Sequence, residues 1–143
     1  MSVLRKRKVL VGEDDASGLI YFATYFHYMS EGDQLLFDEI GSPIHRQIRD
    51  RLAGPAVHVE CDYLAPVRAG DELTHEIVMA AGKRSSVMTE HEFRRGDLVV
   101  ARGRIVRAYV DLGTLETVEV PDLIRAAADS DARRVGLAAR TSG

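Results

Sequence analysis

Cysteine is almost absent: Cys61 is the single one in 143 residues. One thiol excludes an internal disulfide framework and any zinc cage built on several thiolates, and it fits a reducing compartment. Long apolar runs are missing as well. None reaches the roughly 18 residues that a spanning helix requires. The basic segment 1–8 is followed by Val9-Leu10-Val11, but Gly12-Glu13-Asp14-Asp15 comes at once, which leaves too short an apolar core for a signal peptide. The expectation is a soluble cytoplasmic protein with no membrane partner. Charge of one sign is not in excess either: 19 Lys and Arg stand against 22 Asp and Glu, a formal charge of -3, so nothing steers the chain toward nucleic acid. There is no internal repeat and no linker long enough to divide the chain.

What is present is an ordinary globular balance, 45% hydrophobic and 29% charged. The length suits one domain, able to bury roughly 68–70% of the surface its unfolded form exposes. We expect that domain over residues 1–130. In the tail, 131–143, Arg, Ala, Thr and Ser mix without a period, which reads as frayed.

Residues 3–12 read as a strand with a basic alternating face, an exposed edge protected by charge. From Tyr21 the period changes. Phe22, Tyr25, Phe26, Met29, Leu36 and Ile40 follow helical spacing, which predicts a helix over 23–40, about 27 Å long, with Gly41 as its stop. Ser42-Pro43 restarts a shorter helix, with Ser as N-cap and Pro at the first helical position. Ile44, Ile48 and Leu52 are its apolar stripe and Gly54-Pro55 its end. Val57, Val59, Cys61 and Tyr63 then alternate with His58, Glu60 and Asp62, a half-buried strand. Residues 72–81, 86–94 and 98–111 are three more strands, and turns this closely spaced favour antiparallel hairpins. Gly103 suggests a bulge or the close approach of another backbone. Residues 122–128, after Pro121, suggest a short last helix. A single long helix with so many apolar positions needs a sheet to cover it. The fold class is therefore α+β, an antiparallel sheet of about five strands wrapped around one long central helix.

The stretch Asp14-Asp15-Ala16-Ser17-Gly18-Leu19-Ile20-Tyr21-Phe22 carries the chemistry. A helix N-terminus offers unpaired N–H groups and a partial positive charge, which polarise a carbonyl oxygen and stabilise the oxyanion formed on attack. A carboxylate just upstream serves as nucleophile or as general base on water. Gly18 lets the backbone come close to a ligand or take a positive φ. The plainer reading is that Asp14 and Asp15 only cap and charge-complement the helix. Among the other candidates, His27 and Glu31 at i, i+4 suggest an ion pair or a subunit contact. His58 and His75 read as solvated strand faces, His91 as structural and His45 as exposed. Cys61 reads as a small buried thiol, and Asp71 as a turn residue.

With these residues the chain resembles the hotdog-fold acyl-CoA thioesterases of the 4-hydroxybenzoyl-CoA thioesterase family. The resemblance rests on Asp15-x-x-Gly18-x-Ile20-Tyr21-Phe22-x-x-Tyr25 and Leu36-x-x-x-Ile40-Gly41. It continues in Tyr63-x-x-Pro66-x-x-x-Gly70-Asp71, Gly82-Lys83-Arg84-Ser85-Ser86 and Val110-Asp111, and it spans roughly residues 7–125. It implies that Asp15 attacks the thioester carbonyl or activates water, that the backbone N–H of Phe22 polarises that carbonyl, and that Gly18 is the turn glycine. It also implies that Lys83, Arg84, Ser85 and Ser86 contact the phosphates of coenzyme A. By their own spacing, Tyr21 and Tyr25 line an apolar pocket or pack against the sheet. No metal and no cofactor is implied beyond the coenzyme A of the substrate. The active site would lie between two subunits of a homodimer, often paired into a homotetramer. The family often places a helix carboxylate at the position of Ser30, and here Glu31 stands one residue on, about 100° around the helix. A thioesterase acting on carrier-protein-bound acyl chains and a non-catalytic acyl-CoA-binding protein remain open at this level.

Overall fold

The computed structural model describes residues 2–80 and 82–129, so the expectation for the tail at 131–143 lies outside the described residues. The elements run β1 (Ser2–Lys8), α1 (Thr24–Ile40), α2 (Ile44–Arg49), β2 (Leu52–Ala53), β3 (Ala56–Tyr63), β4 (Glu72–Ala80), β5 (Ser86–Arg95), β6 (Leu98–Ala108) and β7 (Val110–Asp111). A last helix covers 122–129. Five strands form one sheet in the order β1-β4-β5-β6-β3, and every neighbouring pair is antiparallel. Strands β2 and β7 make a separate two-stranded ribbon, which the sequence reading did not foresee. Among the described residues no helix is long and apolar enough to cross a membrane.

Helix α1 forms because its apolar residues recur at three and four. Tyr25, Tyr28, Met29, Gly32, Asp33, Leu36 and Phe37 make one buried face. It stops at Gly41, whose φ of +88° is left-handed, with its amide bonded to the carbonyls of Phe37 and Asp38. The sheet meets this face with alternate residues. Leu73, His75, Ile77 and Met79 of β4, and Val87, Thr89, His91 and Phe93 of β5, all point at the helix and are buried. The helix sits very close to the sheet at two glycines. A Cβ on Gly32 would stand 2.6 Å from His75 Cε1, and one on Gly103 would stand 2.5 Å from Met29 Sδ. The close approach expected at Gly103 comes both from this helix side chain and from a backbone, since the Glu60 carbonyl oxygen would stand 3.1 Å from the same Cβ. The register shift in this hairpin falls between Phe93 and Arg94 instead.

Other expectations are corrected. Strand β1 ends at Lys8 because the Val9 amide turns to the Asp71 carbonyl and Gly12 takes a φ of +98°. Ser42 makes no side-chain cap. Pro43 is the N-cap of α2, and the helix ends at Arg49, ahead of Arg51 at φ 62°. Strand β6 ends at Ala108, where the Tyr109 amide bonds to the Ser85 carbonyl. The basic face of β1 is not simply solvated. Arg5 and Arg7 turn inward onto Glu31 of α1, at 2.9 and 3.1 Å.

His75 is the largest correction. It is fully buried rather than solvated, and it belongs to a polar stripe that crosses the sheet beneath α1. Arg5 Nε donates to His75 Nδ1 at 3.0 Å. A guanidinium has no acceptor, so His75 carries its proton on Nε2 and donates to His91 Nδ1 at 2.8 Å. His91 Nε2 then donates to Asp33 Oδ1 at 3.0 Å, and Arg107 Nε donates to Asp33 Oδ2 at 2.9 Å. Both imidazoles are neutral in this chain, and each ring nitrogen has its partner. Burial, then His91 and Arg5, push the pKa of His75 down to about 2. Apolar clusters flank the stripe. One contains Tyr25, Met29, Phe93 and Val100, the other Leu36, Phe37, Ile77 and Tyr109.

Candidate active site at the entrance of the long helix

Residues 13–21 form a closed loop ahead of α1. Asp14 and Ile20 make an antiparallel bridge, the Asp15 amide bonds to the Leu19 carbonyl at 2.9 Å, and the Tyr21 amide bonds to the Glu13 carbonyl at 3.0 Å. Gly18 sits in the turn at φ +81°, a conformation that disfavours any side chain with a Cβ. The Ile20 amide ties the loop to the Val67 carbonyl at 2.7 Å.

Glu13, which the sequence reading passed over, anchors this loop. Its carboxylate accepts from Tyr28 Oη at 2.7 Å, from the Leu10 amide at 2.8 Å and from Arg7 at 2.9 Å. Burial pushes its pKa up, but the Leu10 amide, the Tyr28 hydroxyl and Arg7 outweigh burial, so it lies below the usual carboxylate value. Its carbonyl also accepts from Thr24 Oγ1 in the first turn of α1. No local motif signals this role, because the partners at positions 7 and 28 are distant in sequence. Glu31 is held in the same network by Arg5 and Arg7, and His27 Nε2, expected opposite it at i, i+4, stands 3.3 Å from its carboxylate. Burial raises the pKa of Glu31, and the bonds from Arg7 and Arg5 bring it below the ordinary value.

The Asp15 side chain is exposed. Its carboxylate accepts the Ser17 amide at 2.8 Å and the Ser17 hydroxyl, and those two bonds hold its pKa below the usual carboxylate value. Helix α1 begins nine residues later, at Thr24, so Asp15 does not cap it directly. At the helix entrance the Phe22 and Ala23 amides make no main-chain hydrogen bond among the described residues. They are the unpaired donors that a helix start offers.

Beside these amides opens an apolar cavity of about 340 Å³, walled by Leu19, Phe22, Tyr25, Tyr63, Leu64 and Pro66 among others. Phe22 is 56% exposed at its mouth, and its carbonyl accepts from Tyr63 Oη at 3.0 Å. Tyr25 lies deep in the wall, 1% exposed. Tyr21 packs against Phe22 with its ring tilted by 55°, centroids 4.7 Å apart, but does not line the cavity. Burial pushes the Cys61 thiol up to about 11, which suits an inert side chain. Among the described residues no group of three or more His, Cys, Asp or Glu is placed to hold a metal ion.

Lys83, Arg84, Ser85 and Ser86 are not near this loop within one chain. In the sheet register Lys8 pairs with Glu72, whereas the turn 82–86 follows the other end of β4, near Ser2. Nine residues of strand separate them, about 30 Å at 3.3 Å per residue. Arg84 is ion-paired with Glu119, and Ser86 Oγ accepts the Lys83 amide at 3.1 Å.

A five-stranded antiparallel sheet curled on one long helix, with a loop closed over that helix's N-terminus, is the hotdog fold. The family model of the thioesterase-like superfamily matches residues 9–128, and the chain belongs to that superfamily. It is similar to a 1,4-dihydroxy-2-naphthoyl-CoA hydrolase of Prochlorococcus marinus subsp. pastoris, 26% identical over 127 residues that cover 84% of each chain. It is also similar to the acyl-CoA thioesterase YbgC of Haemophilus influenzae, 23% identical over 121 residues, 84% of this chain and 89% of that one. Among solved structures, a 1,4-dihydroxy-2-naphthoyl-CoA thioesterase from Synechocystis superposes with a TM-score of 0.83 at 18% identity, covering 90% of this chain and 96% of that one. A gentisyl-coenzyme A thioesterase superposes at 0.80 and 24% identity, covering 87% and 98%.

Proposed function

We propose that this protein hydrolyses an acyl- or aroyl-CoA thioester to the free acid and coenzyme A. The observation that carries the reading is the apolar cavity opening beside the unpaired Phe22 amide, with the Asp15 loop closed next to it. An acyl group seated in the cavity brings its thioester carbonyl toward that amide, which stabilises negative charge on the oxygen as the carbonyl is attacked. Asp15 supplies the carboxylate, either adding to the carbonyl carbon or removing a proton from the attacking water. When Asp15 adds, the carbon–sulfur bond breaks and the acyl group stays on Asp15 as a mixed anhydride, which a water then hydrolyses to the free acid. When Asp15 takes the proton of a water, that water's oxygen bonds to the carbonyl carbon and the carbon–sulfur bond breaks to give the acid directly. On both routes the thiolate of coenzyme A takes up a proton. Asp15 is a carboxylate at neutral pH, as either role requires, and the Ser17 bonds hold its pKa further below the usual value. The reading calls for no cofactor beyond coenzyme A itself, and it places the reaction in the cytoplasm.

The working unit in this reading is a homodimer, itself able to pair into a tetramer. Strand β3 is the sheet's second edge, and nearly all of it is exposed, including Val57 at 62%. An exposed, unpaired strand edge of eight residues invites pairing with a second copy. Antiparallel pairing of two β3 strands sets the Tyr63 end of one protomer beside the Ala56 end of its partner. By the β3–β6–β5 register, that end carries the turn 82–86. Lys83, Arg84, Ser85 and Ser86 of one copy would then meet the coenzyme A phosphates of a substrate seated in the other. Charged side chains and hydroxyls of this kind suit a polyanion.

The test is a hydrolysis screen over short, long and aromatic acyl-CoAs with the intact chain and with Asp15→Asn. The variant should fold normally and lose most turnover. Full activity in Asp15→Asn would remove Asp15 from the reaction. Tight binding of thioesters without turnover in the unaltered protein would favour a non-catalytic acyl-CoA binder.

A further inference from the structure

The Asp15 carboxylate is placed by its loop and by little else. Among the described residues its side chain bonds only to Ser17, and that of Asp14 only to the Gly12 amide at 3.1 Å. The hydrogen bonds of residues 14–19 thus stay within the loop and its approach. Two hydrogen-bonded ties join that loop to the body of the fold. One is the Ile20 amide on the Val67 carbonyl, beyond the turn. The other is Glu13, at the root of the arm that carries Asp15. Its carboxylate accepts from Tyr28 Oη of α1 at 2.7 Å and from Arg7 Nη2 of β1 at 2.9 Å. Its carbonyl accepts from the Tyr21 amide and from Thr24 Oγ1, both at 3.0 Å, so the same residue also holds the stretch that carries the Phe22 amide. The partners of Glu13 are themselves fixed. The Tyr28 ring is fully buried and edge-on to Tyr25 at 6.3 Å. Arg7 lies over that ring at 4.4 Å and also donates to Glu31 at 3.1 Å. Arg5, Arg7, Glu13 and Glu31 carry two charges of each sign, with side chains only 16–28% exposed. A half-buried polar network in which each member is bonded is rigid, whereas a lone exposed ion pair is worth little.

We infer that Glu13 is a positioning residue for the reaction, setting the distance between the Asp15 carboxylate and the Phe22 amide through Tyr28 and Arg7. This rests on the hydrolase reading above and deepens it. The bonds of Glu13 all run to the protein's own groups, so it acts through the loop and not on the substrate. The two groups that act on the carbonyl sit on the two arms of one closed loop. Those arms are joined by the Asp14–Ile20 bridge and by the Tyr21 amide on the Glu13 carbonyl. Reacting atoms must stand about 3–3.5 Å apart, and a misplacement of about 1 Å costs on the order of a hundredfold in rate. Affinity for the acyl group comes from the cavity walls, and neither Glu13, Tyr28 nor Arg7 is one of them. Loosening this anchor therefore slows turnover and leaves binding in place.

The experiment uses the intact chain, Glu13→Gln and Tyr28→Phe. It measures kcat on the best acyl-CoA of the hydrolysis screen, and the Kd of the matching thioether, which cannot be hydrolysed. Glu13→Gln keeps the shape of the side chain but removes the charge that faces Arg7. Tyr28→Phe removes one hydroxyl and keeps the buried ring beneath Arg7. In Glu13→Gln kcat should fall about ten- to hundredfold while Kd stays within about threefold. Tyr28→Phe should show the same split with a smaller loss, about threefold or more. Hydrogen exchange gives a reading that needs no substrate. The Asp15 and Tyr21 amides should exchange about tenfold faster in both variants, while those of β4 and β5 keep their rates. An unchanged kcat, a kcat and an affinity that fall together, or unchanged exchange at Asp15 and Tyr21 overturns the inference and leaves the hydrolase reading standing. Should Glu13→Gln fail to fold, Tyr28→Phe decides by the same criteria. Absence of turnover on every thioester by the intact protein overturns both.

Discussion

Acid should loosen this protein through one side chain. His75 donates through Nε2 and accepts through Nδ1, so a second proton would set an N–H against the Arg5 guanidinium with nothing to receive it. The groups facing it are Arg5 from β1, His91 and Phe93 from β5, and Gly32 from α1, and none of them is an acceptor with capacity to spare. Its folded pKa, pushed down to about 2, lies far below the unfolded value of about 6.5. The unfolded chain therefore binds the extra proton, and stability is full above pH 6.5 and falls as pH drops beneath it. Between pH 7 and pH 5 this one group should remove about 2 kcal/mol, with a slope of about 1.4 kcal/mol per unit at the lower end. That window lies above the range in which Glu13 and Glu31 take up protons. The assay is urea unfolding at pH 7, 6 and 5 for the intact chain and for His75→Phe, which retains the stacking on Phe93 at 4.1 Å. The variant should be less stable at pH 7, because Arg5 and His91 each lose a partner, but its loss on acidification should be smaller by about 2 kcal/mol. Equal losses in the two proteins would refute a neutral buried His75.

Three further outcomes follow from the geometry. Gly32→Ala should lower Tm, since its methyl would meet His75 Cε1 at 2.6 Å and Ile77 Cγ1 at 2.7 Å, and overpacking of about 1–3 kcal/mol outweighs the gain of about 1 kcal/mol in helix propensity. Ser17→Ala removes one of the two bonds that depress the Asp15 carboxyl, so the acid limb of the kcat/KM profile should move to higher pH, with little change at neutral pH. Val57→Lys places a charge on the exposed β3 edge and should shift sedimentation toward a slower species without unfolding the monomer.

Much of this fold was legible because its signals are local. The helical spacing from Tyr25 to Leu36, the Gly41 stop and the strict alternation along β4 and β5 each name their element within a dozen residues. The polar stripe was not legible in that way. His75 beside Glu76 and Thr74 looks like a wet strand face, and only the pairing of β1 with β4 reveals Arg5 as its partner. Asp33 did leave a trace. It occupies a position of the apolar face between Met29 and Leu36, where a carboxylate demands a buried partner. At the candidate site, Asp15, Gly18 and Phe22 were visible as a motif. The anchoring by Glu13 is a property of three-dimensional packing and leaves no spacing to read.

The chain of donors from Arg5 to Asp33 also acts as a lock on how the helix lies. Sliding α1 by one turn, about 5.4 Å, would leave its hydrophobic side against hydrophobic strands and change little in buried area. It would, however, strand the Asp33 carboxylate away from both His91 and Arg107. Leaving such a charge buried alone costs about 3–5 kcal/mol, a large share of what holds a domain of this size together. Greasy contacts alone would tolerate several registers, and this polar seam admits one, which keeps the loop of Asp15 and the amide of Phe22 at a fixed height above the cavity.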